Sequence, residues 1–471
     1  MTEGPENDPT PRSAAVTEAP EELKRSLNSR QIEMIAIGGA IGVGLFLGSA
    51  KAIHFAGPGL ILCYAVAGAV IFLIMRALGE LTLYRPVAGA FASYAGEFLG
   101  PRMGFITGWT YWLTWVVTAM AEITAAGIYM QYWFPGLPQW VTALVMVFVL
   151  YAANLIAVRL FGEFEFWFSA IKIVTIVGLI LIGLAVIVFS IGQLGDTAGF
   201  SNLWSHGGFL PEGMGGVLTA LQVVVFAFVG VEFVGVTAGE ARDPERTLPK
   251  AVNSIVVRIL LFYIGALIVI MSLVPWTQLP PDESPFVTVF SDIGIATAAG
   301  IVNFVVLTAA LSSCNSGIFS TGRMLYTLSG VGQAPRRLHR VNSRQIPASA
   351  ITISAVVMLL GVAINYVVPN KAFIYITSTA TAGAMWTWGV IVISHLAYRR
   401  KLAQGAVAAS PFRMPGSPVT NWIVVAFLAF VTVLLAFNSS QRVALYAGAV
   451  WAVVIVTAYA LHRRRRTGTP S

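Results

Sequence analysis

The chain has 471 residues, of which 57% are hydrophobic and 11% charged, with a formal net charge of +8 and a mean hydropathy of +0.78. Soluble domains carry about 25% charged residues, so this composition excludes a water-soluble globule and requires a protein that crosses a membrane many times. Two isolated cysteines, Cys63 and Cys314, both inside apolar runs, read as small packing residues and exclude a disulfide framework or a cysteine metal site.

In chain order, residues 1–23 come first. They are polar, acidic and proline-rich, which predicts a disordered cytoplasmic tail, and they lack the apolar core of a cleavable signal peptide. A membrane span needs about 20 mostly apolar residues. By that measure spans are predicted near 34–54, 59–80, 105–133, 138–158, 165–190 and 214–238. Six more follow near 251–275, 296–326, 348–368, 373–397, 420–437 and 443–462, giving twelve. Spans 3 and 8 are long enough to tilt or bend. A basic tail, 463–471, closes the chain.

Lysine and arginine collect in cytoplasmic loops. With both termini cytoplasmic, 25 of the 29 lie inside and 3 (Lys51, Lys371, Arg442) outside, while Lys172 falls within a span. The basic excess then faces the anionic inner leaflet of the cytoplasmic membrane, and no nucleic-acid partner is implied.

The first span contains IGGAIGVGLFLG (residues 37–48), five of whose twelve residues are glycine. Each glycine in a helix interior costs about 1 kcal/mol relative to alanine. Three charges stand out inside spans, where ionisable groups are functional candidates by default. Glu122, in WVVTAMAEITAAGIYM, is either a protonated acid bonded to a neighbouring helix or a group facing substrate or proton. Lys172, in FWFSAIKIVTIVG, either has a role in the span or snorkels to the cytoplasmic end about two turns away. Glu232, in FAFVGVEFVG, stands beside a glycine where the helix could open. Glu80, Glu97, Glu163 and Glu165 flank cytoplasmic loops and are expected to pair with Arg76, Arg85, Arg102 and Arg159. The run GEARDPERTLPKA (239–251) reads as a solvated loop. HExxH, GxSxG and P-loop patterns are absent and the five histidines are scattered, which argues against an enzyme.

Spans 1 and 6 are both glycine-interrupted and lie five spans apart, so spans 1–5 and 6–10 can pack as inverted repeats. Paired interruptions of this kind point to a transporter binding site near the bilayer midplane. Breaking a helix there frees N–H and C=O groups that hydrocarbon penalises, unless they line a cavity and meet a ligand. Half-helix N-termini attract a carboxylate, and freed carbonyls accept from an ammonium. The pair suits the zwitterionic head of an amino acid. Close packing through small residues is the alternative.

From about residue 24 to 465 the chain resembles bacterial amino acid permeases of the amino acid–polyamine–organocation superfamily. The resemblance rests on LNSRQIEMIAIGGAIGVGLFLGS, AGPG, IMRALGEL, GAFASYAGEFLGP, GWTYW and FGEFEFWFSAIKI. It continues through FAFVGVEFVGVTAGEARDPERTLPKA, SPFV and LTAALSSCNSGIFSTGRMLY. It implies an all-α integral membrane fold with a LeuT-type core at 24–400. The inverted repeats would cover about 30–190 and 214–400, and 401–462 would supply two peripheral helices. It also implies that the amides of Ile41, Gly42, Val43 and Gly44 hold the substrate carboxylate, with Ala119 and Glu122 beside it. Phe226 would be the aromatic gate, and the carbonyls of Ala227 and Val229 would take the ammonium. Lys172 would sit where sodium-coupled relatives bind a cation, opposite Ser312 and Ser313, and Glu232 would serve coupling and gating. The implied coupling ion is a proton rather than sodium, with no cofactor. The implied substrate is a neutral amino acid, preferably alanine, serine or glycine of either hand.

Spans 6 and 7 resemble D-serine/D-alanine/glycine permeases, while spans 8–10 are also similar to asparagine and GABA permeases. Glu122 is shared with aromatic permeases, where many relatives carry aspartate. Transport of another amino acid (proline included), exchange, sensing and intramembrane catalysis stand as alternatives. Oligomeric state is left open.

Overall fold

The computed structural model describes residues 41–467, apart from 88, 157–160, 239–242, 295 and 343–345. The expected tail 1–23, the start of the glycine-rich stretch (37–40), Arg159 and residues 239–242 lie outside the described residues.

All regular structure among the described residues is helical. The first elements are α1 (Val43–Phe46), α2 (Gly48–Ala56), α3 (Leu60–Tyr84), α4 (Ala90–Leu99), α5 (Pro101–Gln131), α6 (Gln139–Ile156) and α7 (Phe161–Phe189). Then come α8 (Gly213–Phe226), α9 (Phe233–Ala238), α10 (Pro244–Arg258), α11 (Ala266–Leu273), α12 (Pro285–Asp292) and α13 (Ala296–Gly330). The last four are α14 (Ala348–Val367), α15 (Pro369–Ala403), α16 (Val419–Phe437) and α17 (Val443–Thr467).

Ten runs among them are long and apolar enough to cross a membrane. One, Val43–Tyr84, is 42 residues long and takes in the first two expected spans, which the turn Gly57–Gly59 divides. The sixth expected span is not among the ten. It divides into α8 and α9, of 14 and 6 residues, each too short to cross alone. The interrupted helices are thus those of spans 1 and 6.

The expected solvated loop at 239–251 turns helical at Pro244. Asp243 caps α10 by accepting from the Arg246 N–H at 3.4 Å, and Pro244 occupies the first turn. Leu248, Ala251, Val252 and Ile255 then form one buried stripe. The helix continues through a widened i→i+5 segment, Ile259–Gly265, into α11. Arg258 is buried inside this run.

Burial separates inner helices from outer ones. In α5, 78% of the apolar window is buried, against 11% in α17. The central α5 packs on α13, α15, α4, α6 and α14, while α1 touches α5, α8 and α13. Cys63 and Cys314 are free and buried.

Candidate functional site

Ile41 and Gly42 are not helical, and Gly42 is extended (φ −130°, ψ −157°) as it leads into α1. After one turn the helix breaks again at Leu47 before α2 begins. Ile41, Gly42, Val43 and Gly44 are all buried, and the N–H groups that open a helix have no partner within it. Of the four expected residues, Ile41 and Gly42 are irregular, while Val43 and Gly44 begin the short helix.

Two glycines explain why this segment can sit where it does. A Cβ on Gly42 would come within 2.7 Å of Glu122 Oε1 and 3.3 Å of Ser313 Oγ. A Cβ on Gly44 would come within 2.6 Å of Ala227 Cα and 3.0 Å of Ala227 N. Bare backbone is therefore needed for span 1 to reach span 3, span 8 and the break in span 6. Glu122 is buried, and its Oε1 and the Ser313 hydroxyl both lie against Gly42. Its Oε2 has no hydrogen-bond partner. Ala119, one turn earlier on α5, is buried, and its carbonyl accepts from Cys314 Sγ at 3.7 Å.

The second break covers 227–232. Gly230 has φ +103°, a left-handed conformation that favours glycine. Its N–H donates to Glu232 Oε2 at 3.2 Å, and the Trp388 indole N–H on α15 donates to the same oxygen at 3.1 Å. The Ala227 carbonyl, expected to await a ligand ammonium, accepts from the Tyr263 hydroxyl at 3.1 Å. Val229 lies in the turn, and its N–H bonds the Phe226 carbonyl at 3.0 Å. Phe226 ends α8 and meets Phe373 edge-on, with ring centroids 6.5 Å apart. Both rings line a small cavity of about 20 Å³ with Lys51, Gln222, Thr377 and Gln441.

Lys172, on α7, is buried and does not snorkel. Its Nζ donates to Ser312 Oγ at 3.2 Å. The Ser312 hydroxyl donates in turn to Glu165, 2.8 Å from Oε2 and 3.0 Å from Oε1, and Ser316 donates to Oε1 at 2.5 Å. This corrects the expected pairing of Glu165 with a loop arginine. The N-terminal turns of α7 pack against α13, which buries Glu165. The spacing of Glu165 and Lys172, seven residues apart on one helix face, was the available signal.

Other flanking charges divide the same way. Arg85 and Glu97 pair at 2.9 Å near the surface, as expected. Glu80 is instead fully buried, with His395 Nε2 at 2.9 Å, Arg399 Nη1 at 3.4 Å and the Met414 N–H at 2.6 Å. Asn421 Nδ2 lies 2.9 Å from the other ring nitrogen of His395.

The structure thus forms two groups from the expected site residues. Gly42, Val43, Glu122 and Ser313 meet at the first break, which Gly44 joins to Ala227. Lys172 and Ser312 form the second group, extended by Glu165. The described hydrogen bonds of Glu232 run to Gly230 and Trp388, away from both.

A family model described as amino acid permease matches residues 31–469. An uncharacterized amino acid permease of Bacillus subtilis (strain 168), YtnA, is 50% identical over 439 residues, covering 93% of this chain and 95% of the relative. A protein of the same strain, YbxG, described as a probable threonine/serine transporter, is 48% identical and covers 94% and 95%. A D-serine/D-alanine/glycine transporter of Escherichia coli O6:H1 is 45% identical over 440 residues, covering 93% of each chain. Among solved structures, a mutant manganese transporter from Eremococcus coleocola matches with a TM-score of 0.59 at 13% identity, covering 92% of this chain and 93% of that one. At that identity the likeness concerns the fold.

Proposed function

The chain belongs to the amino acid permease family, and from that premise we propose that it carries small neutral amino acids into the cell by proton-driven alternating access. It is a multi-pass membrane transporter rather than an enzyme. In this reading both termini face the cytoplasm and the preferred substrates are alanine, serine and glycine of either hand. The names of the threonine/serine and D-serine/D-alanine/glycine relatives support that range.

The observation that carries the proposal is the placement of the Glu122 carboxyl at the first break, against Gly42 where α1 begins. A free N–H at a helix start attracts an anion. Here that anion is a side chain on another helix, and the α-carboxylate of a substrate has the same chemistry. Two carboxylates cannot both stay ionised at one buried donor. A proton on Glu122 removes the competing charge, so the bare Oε2 no longer carries an unpaired buried charge. Proton and amino acid then enter together.

Small side chains fit what lines the segment. Ala119 and Ala227 offer little relief, and Phe226 closes the outer side. The Lys172 ammonium supplies a positive charge beside Ser312 while substrate is bound, so a sodium ion is not called for.

Purified protein in liposomes, given an inward proton gradient, is expected to accumulate labelled alanine. Serine and glycine of either hand should compete. Failure to move any amino acid sinks the substrate class, whereas counterflow that ignores the gradient makes the protein an exchanger and sinks proton coupling.

A further inference from the structure

We propose that Glu165 is the inward-side proton acceptor for Lys172, reached through the Ser312 hydroxyl. A proton that enters with substrate then leaves along Lys172, Ser312 and Glu165. This rests on the proton-coupled reading above and names the exit half of its path.

The geometry is that of a relay with a direction. Glu165 and Lys172 are two turns apart on one face of α7, roughly 10 Å along the axis. Ser312, on α13, bridges that gap. Lys172 Nζ donates to Ser312 Oγ at 3.2 Å, and Ser312 Oγ donates onward to Glu165 Oε2 at 2.8 Å. A hydroxyl can accept and donate at once, which an ammonium or a carboxylate cannot. All three side chains are 1% exposed, so bulk water does not replace the bridge. Ser316 donates to the other carboxylate oxygen and holds Glu165 in place.

The step balances. One Lys172 N–H bond breaks as its proton joins Ser312 Oγ, and the hydroxyl releases its own proton to Glu165 Oε2. An ammonium and a carboxylate become an amine and a carboxylic acid, so the pair is neutral before and after and no lone charge is left buried. Glu122 on α5 is the other carboxylate in electrostatic reach of Lys172, and it returns the next proton to the amine. The two carboxylates lie on opposite sides of the lysine's task. Glu122 stands at the span 1 break, while Glu165 lies in the second turn of α7, near the end expected to face the cytoplasm.

A static role, fastening α7 to α13, predicts something different, and Glu165→Gln separates the two. The amide oxygen still accepts from Ser312 and Ser316, but it cannot take the proton. In liposomes loaded with a pH-sensitive dye, substrate-evoked acidification of the interior should fall by about a hundredfold, the low end of what a positioned acid–base group contributes. Exchange of labelled for unlabelled alanine should persist, because it needs no net proton movement. Acidification at the wild-type rate overturns the relay. Equal loss of exchange and acidification in a folded, monodisperse variant also overturns it, since that marks a structural part. If Glu165→Gln does not fold, Ser312→Ala repeats the test with Glu165 still held by Ser316, and wild-type acidification there overturns the proposal. Wild-type protein that exchanges alanine without any acidification instead refutes proton coupling itself.

Discussion

The two helix breaks solve one problem in different ways. In span 6, the freed Gly230 N–H is satisfied two residues away by Glu232, which Trp388 also binds, and the Ala227 carbonyl is taken by Tyr263. In span 1, the group packed against the opening Gly42 is the carboxyl of Glu122 on a different helix, whose Oε2 is bare. Buried backbone groups must be satisfied in either case. A break whose freed N–H and C=O groups are both held, by Glu232 with Trp388 and by Tyr263, makes a durable hinge. A carboxyl that packs against a break with one oxygen bare can give way to a ligand carboxylate. On the proposed function, span 1 is the recognition half of the pair and span 6 the mechanical half.

The largest expected effect comes where the halves touch. Gly44→Ala would set a Cβ 2.6 Å from the Ala227 backbone, which cannot swing aside. Overpacking of this kind costs about 1–3 kcal/mol. Transport should be abolished and thermal unfolding in detergent should occur at a lower temperature. Gly42→Ala meets side-chain ends, Glu122 first and the Ser313 hydroxyl less closely, so its stability should stay near wild type while amino acid affinity changes. If both variants behave alike, the contact between the breaks is not what positions the site.

Next comes Glu122→Gln, which keeps the shape at the first break and removes the competing charge. Amino acid binding should become independent of pH across the neutral range. Accumulation under a proton gradient should fall at least about tenfold, the equivalent of one unit of protonation free energy. Binding that keeps the wild-type pH profile would show that Glu122 does not compete with the substrate carboxylate.

Much of this was legible in the sequence because the signals are local. Apolar runs mark the helices, a charge inside such a run stands out, and clustered glycines mark the breaks. Glu122, Lys172 and Glu232 were found that way. Glu165 and Glu80 were not, because hydropathy reads a charge near the end of a run as a solvated flank. What buries Glu165 is a pair of serines some 150 positions away on α13, and what buries Glu80 is His395, 315 positions away. The Tyr263 hydroxyl that occupies the Ala227 carbonyl is likewise set by helix packing. No window along the chain contains both partners.

The smallest effect tests the span 6 half. Glu232→Gln leaves an amide oxygen that can still accept from Gly230 and Trp388, so the hinge keeps its cap and loses only its charge. Substrate affinity should match wild type, since the described bonds of Glu232 reach neither Glu122 nor Lys172. Net transport should slow by a few-fold, because a neutral cap holds the turn less firmly; hydrogen bonds to charged groups are worth about 1.5–3 kcal/mol against roughly 1 for neutral ones. Removing the acceptor altogether, with Glu232→Leu, should be far more damaging, because it orphans the Gly230 N–H and the Trp388 indole together. If Glu232→Gln instead weakens binding as strongly as Glu122→Gln does, the division of labour between the two breaks fails, and Glu232 belongs to the recognition half.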